Sequence, residues 1–372
     1  MRVELSDEQE FLREAVAGVL AREASPAHLR SWTATGDSGP ADALAAHQGW
    51  TGIGLDEEQG GQGGGAVELM IVAEELGRAG APWDRLLGGS LALQLLACVP
   101  HADPALLSET AEGETPAVLL LDGRCPPVAW PVEVLAGDAL TLSADYVPGA
   151  ATASRLLVAV DAGSGDGGRL MTVDAGSPSV SITPRELVDR TRSLARVELA
   201  GAPAVDLGEV SSAAFAQTAS LAAVLVAADA LGAAARMLEL TTAYVTDRRQ
   251  FGVPVGSFQA VKHAAAEMQV DVEASRSAVR YAAWAVAARA DDAPVWAAIA
   301  KSFVGTAAAR VADRALFLHG AIGYTWEHDL QFFFKRAKSD ALLFGSADAH
   351  RDLIAGQLEL TAMPIAVSEG TG

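Results

Sequence analysis

The stretch Arg248-Arg249-Gln250-Phe251-Gly252-Val253-Pro254-Val255-Gly256-Ser257-Phe258-Gln259 decides how this chain is read. A long alanine-rich helical run ends there, and Gly252, Pro254 and Gly256 break its period. Ser257 is placed to cap a second helix, whose apolar residues Phe258, Val261, Ala265, Met268 and Val272 recur at helical spacing. Two long helices thus meet at a turn carrying two arginines, a glutamine and a phenylalanine. Arginine presents a planar fork of donors suited to phosphate, so the turn fits an anion site. Equally, it fits a helix C-terminus whose cations offset the dipole.

Bulk numbers narrow the class. The chain has 372 residues, half of them hydrophobic, enough for two or three domains and a sizeable core. No basic-plus-apolar leader is legible at the N-terminus. Residues 221–238 are the most apolar long run, but Asp229 and Arg236 interrupt them, so a buried core helix is expected and no membrane span. Cys98 and Cys125 have neither disulfide-framework nor metal spacing; a cytoplasmic setting is expected, with both thiols as packing residues. A net charge of -20 excludes nucleic acid as a favoured partner, because a phosphate backbone wants clustered cations. Of the two basic clusters, Lys335-Arg336-Lys338 reads as a solvated helix face.

The order of elements is helices, strands, helices. Ser6-Asp7-Glu8-Gln9 has capping-box spacing and opens an N-terminal helical region. Residues 31–40 read as a loop, 41–48 as a short helix and 90–99 as an apolar helix. The glycine cluster 60–65 lacks the Gly-Lys-Ser/Thr ending of a phosphate loop and reads as a bend before a helix ending Glu74-Glu75-Leu76-Gly77-Arg78. From about residue 115, short apolar runs at 117–121, 128–134, 140–142, 156–160, 170–173, 180–182 and 194–199 suggest a small β barrel or sandwich. Residues 163–168 read as a hairpin loop. The expected α+β fold has an N-terminal helical domain (1–113), a central β domain (114–208) and a C-terminal four-helix bundle (209–372).

Taken together, Arg248-Arg249-Gln250-Phe251-Gly252, Pro254, Phe258-Gln259 and Lys262-His263 resemble the signature turn of the acyl-CoA dehydrogenase family. The resemblance covers nearly the whole chain. It implies that the turn of one subunit clamps the ADP half of FAD bound to the neighbouring subunit. Arg248, Gln250, Phe251, Phe258 and Gln259 match that clamp, and Gly320 matches a second clamp in the loop 317–329. Two departures stand there: Phe317 where the family commonly has glutamine, and Ala321 in place of a second glycine. His319 and His328 read as structural or capping residues.

The family reaction needs a carboxylate to take a proton from an acyl-CoA while hydride passes to the flavin. Both family locations for that base are lost here. One falls on Phe344, before Gly345-Ser346; the other falls on Ala222, with Ala223 where the CoA-binding arginine belongs. Losing a positioned base costs about 10²–10⁴-fold in rate. Neither 119–127 nor 140–148 resembles the family's flavin-ring segments. Asp229, Glu239 and Asp340 are the acids near the lost positions, Asp340 being the one candidate substitute. The chain therefore resembles the degenerate subunit of a bacterial α2β2 acyl-CoA dehydrogenase, some of which act on steroid side-chain CoA esters. On that reading it has no catalytic residue of its own, supports FAD in trans, and leaves the substrate mainly to a catalytic sister. The alternatives are a self-sufficient FAD-dependent or oxygenase-like flavoenzyme, and a purely structural subunit.

Overall fold

The computed structural model describes residues 4–36, 39–113, 116–128, 139–161 and 167–357. Six helices come first: α1 (Asp7–Glu23), α2 (Pro26–Thr35), α3 (Gly39–His47), α4 (Ala66–Ala79), α5 (Asp84–Leu96) and α6 (Pro104–Glu112). The capping box at the start of α1 is made in both directions, Ser6 Oγ accepting from the Gln9 N–H and Gln9 Oε1 from the Ser6 N–H. α2 corrects the loop expected over 31–40. Ser25 caps it, Pro26 occupies its first turn, and Gly36 ends it at φ 72°. α5 starts six residues before the expected 90, at Asp84.

Seven strands follow among the described residues: β1 (Ala117–Leu119), β2 (Ala139–Pro148), β3 (Arg155–Asp161), β4 (Gly167–Asp174), β5 (Val180–Pro184), β6 (Leu194–Pro203) and β7 (Val205–Ser211). They form a four-stranded sheet, β1-β3-β4-β7, and a three-stranded sheet, β2-β6-β5. β1 runs parallel to β3 and the other pairings are antiparallel. Alternation on β3 serves two cores. Leu156, Val158 and Val160 join the core between the sheets, whereas Leu157 and Ala159 face the helical core. The apolar run expected over 128–134 lies beyond residue 128, outside the described residues, as does most of the hairpin loop expected over 163–168.

The C-terminal part is helical apart from a short hairpin. α7 (Ser212–Asp247) is followed by β8 (Arg249–Gln250), β9 (Val253–Pro254), α8 (Gln259–Ala287), α9 (Ala293–His319), α10 (Leu330–Asp340) and α11 (Ala347–Gln357). α7 packs against α8, α9 and α10, and α11 lies against α9. At 36 residues α7 is long and apolar enough to cross a membrane, yet it is buried as the central helix of the fold.

α7 also meets α4 at backbone contact. A Cβ on Gly232 would lie 1.9 Å from the Glu74 carbonyl oxygen, and one on Gly77 would lie 2.1 Å from that of Asp229. Backbone cannot rotate away as a side chain can. Gly232→Ala is therefore expected to destabilise by about 3 kcal/mol, the upper end for overpacking, as read from the denaturant midpoint. A cost below about 0.5 kcal/mol, the range of neutral surface changes, would contradict this crossing.

Candidate functional site

The arginine-bearing turn is a protruding hairpin. At Arg248 the backbone leaves the helical region (φ -66°, ψ 123°) while its N–H still donates to the Tyr244 carbonyl. Arg249 then pairs with Pro254 and Gln250 with Val253. Phe251 (φ 52°) and Gly252 (φ 81°) connect them, both in the left-handed region that a tight two-residue hairpin demands. Phe251 is 93 % exposed and meets Phe258 edge-on at 6.3 Å. Arg248, Arg249, Gln250 and Gln259 are all exposed. Ser257 does not cap α8: its Oγ donates to the Pro254 carbonyl, and Phe258 takes the N-cap position without a side-chain bond.

Gly320 lies at the end of α9 (φ 63°, ψ -144°), with open space where a Cβ would stand. The loop after it is joined to the hairpin through rings. Tyr244, one turn before Arg248, stacks on His319 at 4.6 Å and 18°. His319 Nδ1 bonds the Ala315 carbonyl and His328 Nδ1 accepts the Leu330 N–H, so each ring is tied to nearby backbone. Phe251, Phe258, Phe317, Ile322, Tyr324 and Trp326 are all exposed large apolar residues.

The positions where the base and the flavin ring are expected close on each other. Phe344 is fully buried at φ 57°. Its N–H donates to the Gly123 carbonyl at 2.7 Å, and its own carbonyl meets His350 Nε2 at 2.8 Å. Burial holds that imidazole at about 4, hence neutral. A Cβ on Gly345 would lie 2.6 Å from Pro126 Cδ, and one on Gly123 2.4 Å from the Tyr146 carbonyl. The segments around 123, 146 and 344 thus touch through their backbones. Ala222 and Ala223 are likewise buried. Cys98 is half-buried and donates to the Gln94 carbonyl, but Cys125, next to Arg124, is exposed and so is no packing residue.

Beneath lies a buried ionic cluster that corrects the solvated reading of the second basic cluster. Arg336 is fully buried, donating to Asp229 at 3.0 Å, to Thr191 Oγ1 and to the Ala81 carbonyl. Lys335 sits over the Trp326 ring and Lys338 pairs with Asp313. Arg192, from the connection between β5 and β6, reaches Asp84 at 2.7 Å and also pairs with Asp229 and Asp340. Asp229 further accepts from Trp83 Nε1. Burial pushes the Asp229 carboxyl up, but Arg336 and Arg192 outweigh it and hold the net value below the usual range. Asp340 is the opposite case: burial, with the neighbouring Asp229 charge, raises it well above the usual range. At 1 % exposure and ion-paired to Arg192, Asp340 is closed to any substrate in this conformation. Burial also lowers the Lys301 ammonium to about 8; it donates to the Gly345 carbonyl. Sequence reasoning missed Arg192 and Asp84 as cluster members, because Arg192 sits in a connection and Asp84 opens α5, more than a hundred residues apart with no shared local pattern.

Helical ends, a two-sheet middle and a helical bundle bearing this hairpin place the chain in the acyl-CoA dehydrogenase family, to which it belongs. The family models described as acyl-CoA dehydrogenase N-terminal domain and C-terminal domain match residues 6–99 and 213–359. The chain is 35 % identical over 344 residues to acyl-CoA dehydrogenase IpdE2 of Mycolicibacterium smegmatis, covering 92 % of this chain and 96 % of that one. Among solved structures it is similar to the ChsE4-ChsE5 complex from Mycobacterium tuberculosis, with TM-score 0.85, 26 % identity, 98 % of this chain and 100 % of that chain. It also resembles a Tcur3481-Tcur3483 steroid ACAD variant, with TM-score 0.83, 27 % identity, 94 % of this chain and 97 % of that chain.

Proposed function

We propose that this chain is the non-catalytic member of a heteromeric FAD-dependent acyl-CoA dehydrogenase. Its Arg248 corner holds the ADP end of FAD bound to a catalytic sister subunit. Arg248, Gln250, Phe251, Phe258, Gln259 and Gly320 are the residues that would grip it, Arg248 as a charge-assisted donor to phosphate. FAD supplies the hydride acceptor of the reaction, in the sister's site. One observation carries the reading: Phe344, fully buried, stands where a base is expected, and its N–H donates to the Gly123 carbonyl, which supports a base and ring site closed by this chain's own backbone. Those residues do not fit the ring, and no chemical step is assigned to them.

The heteromeric structures it resembles support a sister subunit, and one of them is described as a steroid ACAD. Acyl-CoA thioesters bound mainly by the sister, steroid side-chain CoA esters among them, are the proposed substrate class. The proposed setting is cytoplasmic. A purely structural role is the competing reading, favoured by one feature: Phe317, 81 % exposed, presents a ring where a polar contact to the dinucleotide is expected. The test is dehydrogenation of acyl-CoA thioesters with an artificial electron acceptor. The chain purified alone and supplied with FAD is expected to be inactive, and the pair with a catalytic family member active. Equal rates per flavin for the two preparations would overturn the proposal.

A further inference from the structure

We propose that Tyr244, His319 and His328 form an aromatic brace that holds the hairpin 248–254 and the loop 320–328 in fixed relation, making His319 a positioning residue for the dinucleotide. The inference rests on the reading that these two segments clamp FAD. Tyr244 is the root of the hairpin, because its carbonyl accepts the Arg248 N–H. His319 is the last residue of α9, directly before Gly320. Their rings stack at 4.6 Å. His328 closes the set, edge-on to Tyr244 at 6.4 Å and to His319 at 4.7 Å. Moving either segment alone would break these contacts.

The brace requires neutral histidine. His319 is 3 % exposed; its Nδ1–H donates to the Ala315 carbonyl, which fixes the tautomer. Its Nε2 is buried without a hydrogen-bond partner, so a proton there would be a donor with no acceptor. His328 Nδ1 accepts the Leu330 N–H and loses that bond if protonated. The charged groups facing the brace are Asp329 and Arg30 from α2, which pairs with Asp329; both act on His328. Burial depresses both imidazoles below 6.5, helped by His328 at His319 and by Arg30 at His328, and opposed by the Ala315 bond and by Asp329 respectively. For a base with a depressed folded value, the unfolded chain binds more protons as pH falls through 6.5. The brace is therefore at full strength above that pH and loosens below it.

Two measurements test this. The first uses the chain alone, by amide hydrogen exchange. His319→Ala is expected to speed exchange of the hairpin 248–254 by about tenfold, the worth of one aromatic pair, and His319→Phe to restore protection. Hairpin exchange unchanged in His319→Ala, or loss not restored by phenylalanine, would overturn the brace. The second measures FAD retention in the complex with a catalytic sister. Wild type is expected to lose FAD as pH falls below 6.5 more steeply than His319→Phe; equal profiles would overturn the histidine's role. If Arg248→Ala releases FAD but His319→Ala does not, the brace fails and the clamp stands. If neither releases it, the clamp itself fails. A wild-type complex whose FAD retention does not fall as pH drops below 6.5 would overturn the histidine's role with no variant required.

Discussion

Asp229→Ala is expected to lower stability by about 3–5 kcal/mol, the cost of leaving buried charge uncompensated. Asp229 is fully buried and accepts from Arg192, Arg336 and Trp83. Removing it leaves Arg192 with Asp84 and with Asp340, whose carboxyl burial tends to protonate, and leaves Arg336 with Asp189 at 3.4 Å. The cluster also joins the parts of the chain: Asp84 comes from α5, Arg192 from the β5–β6 connection, Asp229 from α7, and Arg336 and Asp340 from α10. Equilibrium denaturation should show both a lower midpoint and a loss of cooperativity between the sheets and the helices. A midpoint shift within that of an ordinary surface substitution, about 0.5 kcal/mol, would mean the cluster does not bind these parts together.

Arg248→Ala is expected to raise the FAD dissociation constant of the heteromeric complex by about 10–100-fold. A hydrogen bond to a charged group contributes about 1.5–3 kcal/mol, and each 1.4 kcal/mol is about tenfold. Because Arg248 is exposed on the hairpin, the thermal midpoint of the isolated chain should stay unchanged. That combination, weaker flavin with intact fold, separates a clamp from a structural arginine. Unchanged retention would favour the purely structural reading.

Contiguous features were legible in the sequence. Ser6 and Gln9 lie three apart and form the capping box; the turn between two long helices was visible because Gly252, Pro254 and Gly256 break the helical period. Features assembled from distant parts were not. Arg336 looked solvated because its neighbours Lys335 and Lys338 are charged; its burial is set by Asp229 and Thr191, more than a hundred residues away. β7 was missed because Asp206, Gly208 and Glu209 imitate a turn, yet it pairs with β4 along 167–172. That Phe344 falls where a base is expected is a reading of the sequence alone. Its closure onto Gly123 was not legible there, because that contact depends on a left-handed backbone at a bulky residue.

The number of flavins in the purified heteromeric complex tests the central claim most directly. The proposal of a corner gripping the sister's cofactor, with no ring site on this chain, predicts one FAD per pair of unlike chains. Two FAD per pair, or FAD held stoichiometrically by this chain alone with dehydrogenase activity, would contradict it.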